Sequence, residues 1–165
     1  MKTVYNLTMK RFILSLFMIM ALLHAEGPQK HIRLPYDKAM ALLESIKSDA
    51  IVLGEGKTEV YVFVDPLCPH SRKFMTMVSG NASMLSKYRY YIYLYSIPRL
   101  KSEAVVSAIY ASKKPAETLL RVMVGKETIP TDPSAPAAKA VSEIAAVAEK
   151  IDVYKRPYLI VAKQQ

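Results

Sequence analysis

Cysteine is almost missing from this chain of 165 residues, which has one, Cys68, and no tryptophan at all. A single cysteine excludes an internal disulfide framework and a cysteine-based zinc site. Acidic residues are also scarce, since 14 Asp and Glu stand against 23 Lys and Arg. The hydrophobic fraction of 52% and the charged fraction of 22% exclude disordered and collagen-like classes and allow one compact domain with a buried core.

The first 25 residues differ in pattern from the rest of the chain. Lys2, Lys10 and Arg11 precede the apolar run 12–23, and Ala25 offers a cleavage site. This pattern is typical of a secretory signal peptide. The run is shorter than the roughly 20 apolar residues of a membrane-spanning helix, although an uncleaved N-terminal anchor remains an alternative. No cysteine follows the run, so a lipoprotein is excluded, and we expect a periplasmic protein.

The charge of the mature chain sets a second expectation. Cleavage after Ala25 lowers the formal charge from +9 to about +6. The remaining basic residues are scattered singles and pairs, which favours a solvated surface over a site for anionic membranes or acidic clients. Export separates the chain from nucleic acids, so we expect no nucleic-acid partner. An exported protein meets oxidising conditions, in which an unpaired cysteine needs an explanation.

Hydrophobic periodicity predicts alternating helices and strands after a polar leader at 26–35. The predicted helices are 36–48, 69–78, 102–112, 116–124 and 137–151, with Ser102 as the cap of the third, and the predicted strands are 51–53, 60–64, 88–95 and 158–161. Five tyrosines in 88–95 fit a helix-covered strand more simply than a stacking platform for bases or sugars. The strand–helix–strand unit implies a parallel pair and α/β architecture.

Cys68 follows the predicted strand 60–64 and stands at the first turn of the predicted helix 69–78. Free backbone N–H groups and the helix dipole stabilise an anion there, which favours the thiolate over the thiol. A thiolate attacks disulfide sulfur, so the position suits thiol–disulfide exchange, and His70, Arg72 and Lys73 would add positive potential. The alternatives are an inert buried cysteine and a metal site shared with His70, which the lack of a nearby carboxylate set disfavours.

The string VYVFVDPLCPHSRKF at 60–74 resembles the active-site segment of the thioredoxin fold, specifically the periplasmic disulfide isomerase and reductase branch represented by DsbC and DsbG. The similarity continues through Ile97-Pro98-Arg99 with the helices after it, and through 151–161. It implies an α/β, thioredoxin-like fold with inserted helices and divides the chain into a signal peptide (1–25), an N-terminal leader and helix (26–49) and a thioredoxin-like domain (50–165).

The same resemblance assigns the site residues. It implies that Cys68 is the nucleophile, and for an enzyme of this kind we expect His70 to tune Cys68 and Ser71 to donate a hydrogen bond to the thiolate. It further implies that Pro69, Arg156 and Pro157 contact the client, with Pro157 as the family's cis-proline. It implies neither a metal nor another cofactor.

Three departures from the family pattern narrow the chemistry. Ser71 stands in place of the second cysteine, which excludes a self-contained two-electron cycle and leaves isomerase or monothiol mixed-disulfide chemistry. Lys155 and Arg156 precede Pro157, where the family usually has a threonine before the proline. Either these two side chains raise the electrostatic potential near Cys68 or bind an acidic client, or they are simply exposed. The chain ends after the strand 158–161, so the family's last edge strand and C-terminal helix are expected to be lacking, which leaves an open edge.

We therefore expect a periplasmic monothiol thiol:disulfide interchange protein of the isomerase or mixed-disulfide reductase type. Its expected clients are secreted proteins with disulfides or thiols, and a membrane-bound reductase and a second copy of the chain are partners that the sequence leaves open. One alternative is a non-catalytic thioredoxin-fold module that binds clients as a chaperone does. Another is a degenerate copy of the fold with no redox role.

Overall fold

The computed structural model describes residue 31, residues 34–132, residue 134 and residues 139–163. All described secondary structure belongs to one unit, Ile32–Gln165, and the other unit, Met1–His31, contributes one described residue. The predicted signal peptide at 1–25 and most of the predicted leader therefore lie outside the described residues. None of the described helices combines the length and the apolar character that crossing a bilayer requires.

Helices and strands alternate along the described residues much as the periodicity predicts. The helices are α1 (Tyr36–Ser45), α2 (Pro69–Ser79), α3 (Ala82–Lys87), α4 (Glu103–Ala111), α5 (Pro115–Met123) and α6 (Lys139–Ile151), and the strands are β1 (Ile51–Leu53), β2 (Thr58–Val64), β3 (Tyr88–Leu94) and β4 (Tyr158–Val161). Two short 3₁₀ turns, Lys47–Asp49 and Pro98–Leu100, follow α1 and β3.

Helix α3 is absent from the sequence-based prediction, which places no helix between the helix 69–78 and the strand 88–95. The side chain of Asn81 accepts a hydrogen bond from the Met84 N–H at 3.1 Å and so caps α3 at its N-terminus. The helix has only six residues, too few for a clear apolar period. A short capped helix thus replaces the expected loop between α2 and β3.

The four strands form one mixed sheet in the order β1-β3-β2-β4. β2 and β3 are parallel, as the strand–helix–strand pattern predicts, while β1 pairs antiparallel with β3 and β4 antiparallel with β2. The register pairs Val64, the last residue of β2, with Leu94, the last residue of β3. The carboxyl ends of the two central strands therefore meet at one edge of the sheet, next to Cys68.

Both faces of the sheet are covered by helices, which explains why β2 and β3 are apolar on both sides. One face packs under α2, α4 and α5, with Val62, Met75 and Ile92 fully buried. The other face packs under α1 and α6, with Leu43, Tyr61 and Tyr93 fully buried. The tyrosines of β3 divide between these two layers and belong to the core, so the stacking-platform alternative is wrong.

β4 forms an outer edge of the sheet among the described residues. Leu159 and Val161 point to the same face as Val62 and Val60, with which they pair, and are 44% and 52% exposed. Tyr158 and Ile160 pack on the opposite face, against the layer that contains α1. The edge that the sequence predicted to be open is thus unpaired in the described structure and flanked by exposed apolar side chains.

Candidate functional site

Cys68 lies where β2 has ended and α2 begins. It is the N-cap residue of α2, Pro69 occupies the first helical position, and the Cys68 carbonyl accepts the first helical hydrogen bond from the Arg72 N–H at 2.9 Å. Proline suits that position because its missing N–H would have had no helical partner. The cysteine is only 4% exposed, yet it belongs to neither apolar cluster of the core. The thiol is therefore at the helix start, as predicted, but it is shielded rather than open.

The Asp65 side chain accepts the hydrogen bonds that hold the turn carrying Cys68. Its side chain is fully buried, and Oδ1 accepts hydrogen bonds from the backbone N–H groups of Leu67 at 2.7 Å and Cys68 at 3.0 Å. Oδ2 accepts from the Ile97 N–H and from the Ser102 hydroxyl, both at 2.5 Å. One carboxylate thus joins the end of β2, the segment after β3 and the start of α4.

The sequence analysis gave Asp65 no role beyond ending the strand, and it assigned Ser102 to helix capping. Ser102 is the N-cap residue of α4, as predicted, but its hydroxyl makes no capping bond and donates to Asp65 instead. The bond from the Leu67 N–H to Asp65 has the geometry of an Asx turn, a local signal that an aspartate before proline could have supplied.

Pro157 and Arg156 face Cys68 from the loop that leads into β4. The Arg156–Pro157 peptide bond is cis, the geometry that the family resemblance implied. The Cys68 Sγ lies 3.8 Å from the Arg156 carbonyl oxygen, to which it donates a weak hydrogen bond. Residues 88 positions apart in the chain thereby form one site.

The Arg156 side chain is held in place by the backbone on three sides. Its nitrogens donate to the carbonyls of Tyr95, Val153 and Ser96 at 3.0–3.1 Å, and its guanidinium lies 3.9 Å from the centre of the Tyr95 ring. Burial lowers the pKa of Arg156, while Tyr95, Asp65 and Cys68 act in the opposite direction. The prediction of a simply exposed arginine is therefore wrong, and a fixed positive charge stands near the thiol.

Ser71 and His70 lie on different sides of the first turn of α2. The Ser71 side chain is fully buried, and its hydroxyl oxygen accepts a hydrogen bond from the Asp65 N–H at 3.2 Å. Donation from Ser71 to the Cys68 sulfur is not among the hydrogen bonds of the structure and stays a prediction. His70 and Pro69 are exposed beside the thiol, where tuning by His70 also stays a prediction.

A second polar cluster lies near the amino end of β2, whereas Cys68 follows the carboxyl end of that strand. The Tyr61 hydroxyl lies 2.5 Å from a Glu44 oxygen and 2.9 Å from a Glu59 oxygen, so the two carboxylates share its one proton, and Lys47 pairs with both carboxylates at 3.0–3.1 Å. The hydrogen bonds from Tyr61 and Lys47 hold the pKa of Glu44 below its ordinary value. Burial raises the pKa of Glu59, but hydrogen bonds from Lys47, Tyr61 and Tyr91 outweigh it and leave that pKa lowered as well. This cluster ties α1 to the sheet.

No group of three or more metal-ligating side chains comes together within the described residues. The site around Cys68 offers one thiol, one buried carboxylate already fully engaged, and one arginine. The site therefore places a single thiol next to a backbone carbonyl and a fixed cation.

No protein-family model matches the sequence, and no curated protein matches it. Solved structures do match the fold. The chain is similar to a disulfide interchange protein from Neisseria gonorrhoeae, at 19% identity and a TM-score of 0.53, over 69% of this chain and 80% of that one. It is also similar to DsbG of Helicobacter pylori, at 16% identity and a TM-score of 0.54, over 76% of this chain and 61% of that one.

A third similar structure, ScsC of Proteus mirabilis in a transitional conformation, has 14% identity and a TM-score of 0.57, over 99% of this chain and 87% of the other. Likeness at these identities establishes the architecture, which is the thioredoxin-like α/β fold that the sequence predicted. The name of the first neighbour describes that protein as a disulfide interchange protein.

Proposed function

We propose that this chain is a monothiol thiol–disulfide interchange protein, with Cys68 as the nucleophile. The observation that carries the proposal is the placement of the only cysteine, at the start of α2 and 3.8 Å from the carbonyl of Arg156, whose bond to Pro157 is cis. The thioredoxin-like fold and the disulfide-related neighbours support it. The proposal includes the Cys-Pro-His-Ser motif at 68–71 as a monothiol version of the DsbC- and DsbG-like site.

The reaction needs one sulfur from the protein. The Cys68 thiolate attacks one sulfur of a client disulfide, so that a bond forms between Cys68 and that sulfur while the client S–S bond breaks. The second client sulfur leaves as a thiolate and takes up a proton. Another client thiolate then attacks the mixed disulfide, forms a new client disulfide and releases Cys68. The cycle rearranges disulfides with no net oxidation, so no external oxidant or reductant is consumed.

Two features of the site place positive charge or positive dipole ends near the sulfur. The helix start offers backbone N–H groups and the positive end of the helix dipole. The fixed Arg156 guanidinium adds a cation whose electrostatic interaction reaches Cys68. Because the carbonyl of Arg156 faces the sulfur, an extended client segment has a backbone acceptor beside the reacting atom.

The proposed setting is the periplasm, with secreted proteins that carry disulfides or thiols as clients. That setting depends on the predicted export signal at 1–25, which lies outside the described residues. It also supplies the oxidising conditions under which client disulfides form. A reductase in the membrane is the proposed source of electrons should Cys68 become oxidised.

Shielding of the thiol supports a second candidate function. A cysteine 4% exposed must be uncovered before it reacts, which fits a thioredoxin-fold module that binds clients without turnover. The two candidates differ in whether the sulfur changes partners during a reaction cycle.

Refolding of a scrambled-disulfide client separates these candidates. We expect the native protein to restore client activity and Cys68→Ala to be inactive, with a mixed disulfide visible on non-reducing gels for the native chain alone. Ser142→Ala, a small exposed position on α6, is the matched control and should behave as the native chain. Equal recovery with and without Cys68 would refute interchange, and client binding without recovery would favour the binding module.

A further inference from the structure

A groove of about 660 Å³ opens beside Cys68, between α2 and the end of α5. The two chain neighbours of the nucleophile, Leu67 and Pro69, line it. Thr76 and Met77 of α2 and Met123 of α5 continue the lining. A polypeptide lying in this groove would therefore contact the residues on either side of Cys68 in the chain.

The groove is positively charged. Arg72, Lys73 and Lys126 line it, and its lining includes no carboxylate. None of these three side chains takes part in the ion pairs found among the described residues. The Nε of Arg72 donates to the Pro66 carbonyl at 2.7 Å, which fixes that cation at the rim. Three cations without a carboxylate partner thus line a concave surface that also includes the chain neighbours of Cys68.

The groove also offers apolar surface of an adaptable kind. Met77 is 51% exposed on α2, Leu67 is half-buried, and Met123 is buried beneath them. A methionine side chain has three rotatable bonds and a polarisable sulfur, so it packs against apolar groups of different shapes. The surface therefore suits variable apolar side chains flanked by anionic ones.

We propose that this groove recognises an extended client segment whose disulfide cysteine is flanked by acidic and apolar side chains. The inference rests on the proposed function and adds a substrate class to it. Charge complementarity selects this occupant, because an acidic segment supplies the carboxylates that the three cations lack. The sequence analysis favoured a solvated surface for the scattered basic residues. Three of them instead form a local cluster that binds the client.

The expected preference is moderate and depends on salt. An exposed ion pair contributes little by itself, and two or three together correspond to roughly a tenfold difference in rate or affinity. Screening at about 1 M salt shortens the reach of these charges to about 3 Å and should remove most of the difference.

Model peptides with an activated disulfide test the preference directly. Each peptide carries one cysteine joined to thionitrobenzoate, with either two glutamates or two lysines beside it. Attack by Cys68 forms the peptide mixed disulfide and expels the thionitrobenzoate anion, whose absorbance gives the rate constant. We expect the glutamate peptide to react about tenfold faster than the lysine peptide at low salt and the two rates to converge at high salt.

Charge-reversed variants locate the preference. Lys73→Glu combined with Lys126→Glu should abolish or reverse the rate ratio. Lys113→Glu combined with Lys150→Glu changes the net charge equally at exposed positions outside the groove and should leave the ratio unchanged. Equal rates for both peptides with the native protein, or an equal loss in both double variants, would overturn the proposal.

A neutral probe separates this proposal from the function on which it rests. Dipyridyl disulfide carries no charge and reports only whether Cys68 attacks a disulfide. Reaction with this probe together with equal peptide rates would refute the groove alone. No reaction with the probe or with either peptide would refute the interchange function itself.

Discussion

Replacement of Asp65 by asparagine tests the claim that one carboxylate organises the turn of the nucleophile. Asparagine keeps the shape of the side chain and one carbonyl oxygen, which can still accept from Leu67 and Cys68. Its amide nitrogen cannot accept, so the Ile97 N–H and the Ser102 hydroxyl lose the partner that they contact at 2.5 Å. The perturbation is therefore confined to two hydrogen bonds in a fully buried place.

The expected loss of stability follows from the two hydrogen-bond donors that Asp65→Asn leaves without a partner. A buried donor left without a partner costs about 1–3 kcal/mol. Rotation of the Ser102 hydroxyl offsets part of the loss, so we expect Asp65→Asn to lower the free energy of unfolding by about 2–4 kcal/mol. For a domain of this size that corresponds to a fall in melting temperature of roughly 8–16 °C. Ser102→Ala removes one of the two donors and should cost about half as much.

Urea unfolding followed by circular dichroism measures the free energy, and the rate of Cys68 alkylation reports on the turn. We expect alkylation to accelerate in Asp65→Asn because the turn that shields the thiol is loosened. Asp37→Asn, at an exposed position in the first turn of α1, is the matched control and should cost at most about 1 kcal/mol. A loss below about 0.5 kcal/mol for Asp65→Asn, with unchanged alkylation, would refute the role assigned to this carboxylate.

Two further predictions concern the second site position and the cluster near the amino end of β2. Ser71→Cys restores a resolving thiol three residues after Cys68. We therefore expect mass spectrometry to detect an internal disulfide, and we expect insulin reduction with dithiothreitol to be roughly tenfold faster than with the native chain. Two thiols that both stay free after oxidation would contradict this prediction. Glu44 and Glu59 have lowered pKa values when folded, so their stabilising contribution is present above the ordinary glutamate value of about 4.3 and disappears as the pH falls through the lowered values. The urea midpoint should therefore fall as the pH drops below about 5, and less steeply in Glu44→Gln, whereas equal slopes would show that the cluster does not contribute.

The sequence predicts the parts of this fold that depend on local pattern. The strand–helix–strand unit around Cys68 predicted the parallel pairing of β2 with β3, because a short helical crossover allows little else. The position of the cysteine at a helix start likewise follows from a buried strand, a proline and an apolar period read in order. The helix α3 escaped prediction because a cap on Asn81, rather than periodicity, sustains it.

The contacts that complete the site are long-range, and the sequence could not supply them. Asp65 meets Ile97 and Ser102, which are 32 and 37 residues away, and Arg156 meets Ser96 and Tyr95 across 60 and 61 residues. The periodicity of a segment predicts which face of that segment is buried, but it does not predict which distant residues that face or its polar groups contact. The sequence left Arg156 undecided between a charged contact and an exposed side chain, and only the packed tertiary structure decides between them.

The hydrogen bonds to the Asp65 carboxylate also have a consequence for the order of folding. Two of its four donors arrive with the segment after β3, so loop closure over more than thirty residues precedes completion of the turn. Because a chain is synthesised from its N-terminus, Cys68 is added before Ile97 and Ser102. Cys68 is therefore synthesised early, whereas its surroundings are completed only after later parts of the chain have been added.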